Sequence, residues 1–129
     1  MTVTLRQIMD AQTALQALTV QQLPVKQAYH LARLIRACEP EVRQFNEQRN
    51  ALINTHGRER PATEAERPMH GETVIEVEPE QFVIFREKMA ELLETEVTLD
   101  RPKIALNGSL QITARDVLTL EPFVTIDET

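Results

Sequence analysis

Cys38 is the residue whose type most readily suggests nucleophilic chemistry. A reactive thiol needs an accessible, electropositive setting. Cys38 instead falls between Ile35 and Val42 on an apolar helical stripe, where a free cysteine behaves as a small hydrophobe. Ser109 is the only serine; it stands beside Gly108 in an expected turn, and no Gly-x-Ser-x-Gly occurs. His30, His56 and His70 are 26 and 14 residues apart, without a Cys-x-x-Cys or His-x-x-x-His companion, so no metal site is expected. The acidic groups Glu91/Glu94 and Glu76/Glu78/Glu80 read as solvated faces. A working carboxylate pair needs a pocket that drives the two pKa values apart. With 3 glycines there is no phosphate cradle of the form GxGxxG or GxxxxGK[ST]. These residues predict a protein that is not an enzyme and uses no cofactor.

The basic residues point elsewhere. Lys26, Arg33, Arg36 and Arg43, with Tyr29 among them, share one outer face if residues 24–56 are helical. Such a stripe fits an anionic partner: nucleic acid, an acidic protein surface, or the acidic half of this chain. The plain alternative is a solvated polar face. The chain carries −6 overall, and repulsion from phosphates opposes nucleic acid. Residues 26–63 sum to +3 and residues 64–129 to −9. Most of the basic residues are Arg, which forms planar, two-pronged contacts with carboxylates. The partners expected are therefore other protein subunits, including further copies of this chain.

The elements that position these residues are legible from spacing. Thr4-Leu-Arg-Gln7 is a capping box, and Leu5, Ile8, Met9, Leu15 and Leu18 continue a helix over about 5–18. Pro24 suits the first turn of a second helix. There Ala28, Leu31, Ile35, Cys38, Val42 and Phe45, then Leu52 after Arg49, alternate by three and four residues. That is the pattern of a coiled-coil-like seam. Pro40 falls inside it, but on the outer face, where water can replace the hydrogen bond that proline removes. The spacing predicts one kinked helix over about 24–56, capped by Gly57. At about 1.5 Å per residue it would extend roughly 50 Å, long enough to meet another subunit.

Residues 58–72 carry two prolines, dense charge and Met69 as the one bulky apolar group, and read as a mobile loop. Beyond it, Pro79 opens a helix over about 79–95 with Phe82, Phe85, Met89, Leu92 and Leu93 on one side. Strands are expected at 73–77, 96–99, 103–106 and 110–113, the last two joined by an Asn107-Gly108 turn. Thr113-x-x-Asp116 can cap a final helix over about 114–120. With 129 residues the chain is expected to form a single domain: a helical region over residues 1–57, the loop, and an α+β region over residues 73–129. The fold class expected is α+β: a long kinked helical hairpin, a third helix and a small antiparallel sheet. No apolar run is long enough for a membrane span and no secretory leader is visible, which predicts a cytoplasmic protein.

Three phrases carry a resemblance. They are VRQFNEQRNALINTHG, with Arg49, Leu52, Ile53 and Gly57; EQFVIFREKMAELLETEVTLDRPKIAL, with Phe85, Leu92, Leu93, Glu96, Val97 and Leu99; and ITARDVLTLEPFV, with Val117, Leu120, Pro122 and Phe123. Across residues 42–124 the chain resembles small proteins encoded by tailed phages and prophages. The shared pattern is hydrophobic and carries no catalytic residues. The resemblance implies a virion structural component or assembly factor, found in the cytoplasm of the infected host and in the virion. An inhibitor or regulator of a host protein is the alternative, and a nucleic-acid binder acting through the basic stripe is a third.

Overall fold

Helical and strand-forming segments alternate along this chain, and the computed structural model is accordingly α+β. It describes residues 1–65, 67–71, 73–108 and 110–127. In chain order the elements are β1 (Thr2–Thr4), α1 (Leu5–Leu18), α2 (Val25–His56), β2 (Gly57–Pro61), α3 (Arg67–His70) and β3 (Thr73–Val77). A 3-10 turn at Pro79–Gln81 leads into α4 (Phe82–Leu93), and β4 (Glu96–Thr98), β5 (Ile104–Asn107), α5 (Ala114–Leu120) and β6 (Val124–Asp127) follow. Two compact units result, residues 1–43 with 94–129 and residues 44–93. Their boundaries fall inside α2 and after α4, not around a loop at 58–72.

In the first unit the capping box forms as its sequence requires. The Thr4 hydroxyl accepts the Gln7 N–H at 3.2 Å, and Gln7 Oε1 accepts the Thr4 N–H at 2.9 Å. Two donors that a helix start leaves unpaired are thereby satisfied. Leu5, Ile8, Ala11, Leu15 and Leu18 form the buried stripe of α1, which packs against α5. β1 pairs antiparallel with β4, and the Met1 ammonium donates to the Leu99 carbonyl at 2.8 Å. Arg6 pairs with Glu94 at 2.7 Å on the surface, where such a contact contributes little.

The expected antiparallel sheet is replaced by three two-stranded ones, β1–β4, β2–β3 and β5–β6, and the last is parallel. The turn at Asn107 does form, its carbonyl accepting the Leu110 N–H at 3.2 Å, but residues 110–113 make no strand. Ser109 lies outside the described residues. Thr113 is taken by the next helix, its hydroxyl accepting the Asp116 N–H at 3.2 Å. That leaves too little chain to pair, and β5 pairs instead with the β-branched Val124-Thr125-Ile126. The crossover that a parallel pair needs is supplied by the segment carrying α5.

In the second unit the segment read as a mobile loop is partly a strand. β2 pairs antiparallel with β3 in the register Arg58↔Glu76 and Arg60↔Val74. Arg58 and Arg60 reach diagonally to Glu78 and Glu76, at 3.5 and 2.8 Å. A polar segment can thus be ordered by ladder hydrogen bonds and cross-strand charge pairs without a bulky apolar group. Glu66 and Glu72 of the expected loop lie outside the described residues. Gly57 does not cap α2 in the left-handed conformation, since among the described residues only Gly71 has positive φ. It opens β2 directly, at a point with no room for a side chain.

α2 is one helix through Pro40, as the continuous register implied. Pro40 is exposed, as is Arg36, whose carbonyl loses its usual donor there. The buried stripe departs from the expected seam. Leu31, Cys38 and Phe45 are buried and Leu34 joins them, whereas Ile35, Val42 and Leu52 are half-buried and Ala28 is exposed. Leu31, Cys38 and Phe45 keep the seven-residue spacing, and Leu34 widens the stripe on the side away from Ile35 and Val42, so the buried face is turned to one side of the expected seam. Ala28 and Ile35 line a cleft of about 180 Å³ with Leu18 and Leu23, a space that one methyl group is too small to close.

Candidate interaction surface

Lys26, Tyr29, Arg36 and Arg43 are exposed along the outer side of α2, and Arg33 is half-buried. The Arg33 guanidinium donates to the Tyr29 hydroxyl at 3.3 Å and lies 5.7 Å from the ring centre. This pair, one turn apart, stiffens the middle of the stripe. Among the described residues no carboxylate pairs with Lys26, Arg33, Arg36 or Arg43. Glu94, Glu78, Glu76 and Glu91 of the acidic half pair instead with Arg6, Arg58, Arg60 and Lys88. The stripe therefore presents unneutralised charge, with Val25 87% exposed at its start. Arg49, expected on the seam, is half-buried and lies 6.0 Å from the Phe45 ring centre. It covers the ring while its charge remains partly hydrated.

The second surface is at α4. No residue of this helix is buried, although apolar side chains dominate its first turn. Phe82, Val83 and Ile84 are 48%, 65% and 43% exposed. Phe85, Met89, Leu92 and Leu93 are half-buried. Phe85, Met89, Leu92 and Leu93 lie together as the spacing implied, whereas Phe82, expected with them, is exposed as part of a patch that the spacing did not reveal. The signal lay in four consecutive apolar residues, Phe82-Val83-Ile84-Phe85. A helix turns 100° per residue, so such a run surrounds it, and only one side can be buried against a single neighbour.

The residues with chemical potential are placed apart. Cys38 is 1% exposed. Burial, with the negative charge of Glu41 adding to it, pushes its thiol from 9.0 up to about 11. At pH 8 that leaves about a hundredfold less thiolate than for the unperturbed group. Alkylation of the native protein by iodoacetamide is expected to be slower by at least that factor, and to accelerate up to pH 11. The unfolded chain ionises this thiol from pH 9, so stability should fall between pH 9 and 11. A native rate equal to that of the unfolded chain at pH 8 would contradict the burial.

His56 uses Nδ1 in a 3.0 Å hydrogen bond with Gln81 Oε1 and sets its ring edge-on to Phe85, tying the end of α2 to the turn before α4. His30 packs edge-on against Tyr29. Among the described residues no three His, Cys, Asp or Glu side chains converge as metal ligands. No helix of the described residues is long and apolar enough to cross a membrane.

No protein-family model, curated protein or solved structure matches this chain.

Proposed function

We propose that this chain is a non-enzymatic protein that acts through protein–protein contacts, as a structural component or assembly factor of a tailed-phage virion. The apolar first turn of α4 carries the contact reading. Three large apolar side chains in succession are exposed there, while the helix buries none of its residues. Contiguous exposed apolar surface is a liability unless a partner covers it. The phage setting is supported by the pattern shared over residues 42–124. Other copies of this chain are the first candidates for the partner, because the same patch on two copies can be self-complementary about a twofold axis.

The test is sedimentation of the full chain at tens of micromolar, beside Val83→Glu/Ile84→Glu. The intact chain should sediment as an oligomer and the variant as a monomer, with the same far-UV circular dichroism. An intact chain that stays monomeric rejects self-association. Absence of the protein from both purified particles and assembly intermediates rejects the virion role.

A further inference from the structure

We infer that the free edge of β5 is a docking site for an extended, acidic peptide segment of a partner protein, which joins the β5–β6 sheet as a third strand. The inference uses none of the α4 residues and stands independently of the self-association proposed there.

The hydrogen-bond phase of β5 is the first support. The Ile104 N–H donates to the Phe123 carbonyl at 3.0 Å, and Ile104 is in register with Val124. In a parallel ladder this turns both backbone groups of Ile104 and Leu106 toward β6, so Ala105 between them turns its N–H and C=O the other way. Among the described residues no strand lies along that side, and no hydrogen bond meets either group of Ala105. Such an edge is a template for strand addition.

The surroundings of the edge are the second. Two clefts of about 280 and 260 Å³ flank it and share Gln27 and Ala105. Leu23 and Pro24 face Leu106 across the first, and Lys26 and His30 face Lys103 across the second. Among the described residues, none of β6 lines either cleft, whereas Ala105, whose backbone groups turn away from β6, lines both. From Lys103 to Leu106 the edge is about 13 Å long at roughly 3.3 Å per residue, and at Asn107 the chain turns back, its carbonyl accepting the Leu110 N–H at 3.2 Å. That length accepts a peptide segment of about four residues.

Charge selects the occupant. Lys26, Lys103 and His30 stand at one end, and among the described residues no Asp or Glu lines either cleft. An acidic residue suits that end, and an apolar residue suits the cleft beside Leu23 and Leu106. Nucleic acid is disfavoured, because an edge of peptide groups is complementary to another peptide backbone and neither cleft is lined by Phe, Tyr or Trp among the described residues.

The probe is a fluorescein-labelled Val-Glu-Val-Glu-Val-Glu peptide, titrated against the full chain by anisotropy at low salt. It should bind, slow exchange of the Ala105 amide, and lose affinity about tenfold to Lys26→Glu/Lys103→Glu. The same peptide with alternate amides N-methylated should lose binding to the unaltered chain. That arm needs no variant to fold. A Val-Lys peptide should bind worse than the Val-Glu one. No binding overturns the inference, as does binding indifferent to N-methylation. Displacement of the peptide by a single-stranded oligonucleotide would reassign the edge to nucleic acid. Protection of the Ala105 amide that rises with protein concentration alone would reassign it to a second copy.

Discussion

Phe123→Ala is expected to lower the stability of this protein by about 3–5 kcal/mol. The ring is 0% exposed and is the largest of the fully buried side chains. It sits at the junction of α5 and β6, where the chain is held on both sides. Its N–H donates to the Leu120 carbonyl at 2.8 Å and its carbonyl accepts from Ile104 at 3.0 Å. Those bonds prevent the backbone from collapsing into the space that the ring would vacate, so truncation leaves a cavity in addition to the lost transfer energy. Urea unfolding followed by circular dichroism would measure the loss as a lower midpoint at unchanged slope. A loss under about 1 kcal/mol would mean that the site is not a closed core.

Gly57→Ala should cost about 2–3 kcal/mol through overpacking. A Cβ at this position would stand 2.6 Å from the Ile53 carbonyl oxygen, 2.8 Å from Ile75 Cγ2 and 3.0 Å from the Glu76 carbonyl oxygen. Two of the three obstacles are backbone atoms held in α2 and β3, which cannot rotate away. The effect should be local, because the crowded atoms all belong to residues 44–93. Amide exchange should accelerate across β2 and β3, while α1 keeps its protection. Uniform acceleration in both units would show that they unfold together.

The local elements were readable because their causes are local. The α1 boundaries follow from a side-chain oxygen at Thr4 and an apolar residue on each turn, and they are found at Leu5–Leu18. The α5 start follows from Thr113 in the same way. The continuity of α2 through Pro40 was also legible, since a proline on the outer face forfeits a hydrogen bond that water can replace. The stripe of Lys26, Tyr29, Arg33, Arg36 and Arg43 was visible as spacing. That it carries no ion pair among the described residues depends on where the carboxylates lie, which spacing does not encode.

What the sequence by itself determined is therefore α1, α2, α4 and α5, the N-terminal caps of α1 and α5, the α+β class and the charged stripe of α2. The tertiary structure decided which strands pair. A strand specifies its own alternation of faces, but its partner is chosen by competition among all segments that can reach it. The Asn107-Gly108 turn favours a hairpin locally, yet Thr113 is drawn into a helix and β6 supplies a longer β-branched partner. Gly57 and the Arg-Glu-Arg segment look like a cap and a loop until Thr73–Val77 lies alongside. The free edge of β5 and the exposed turn of α4 are remainders of the same competition: hydrogen-bonding groups and apolar surface that the chosen neighbours do not cover.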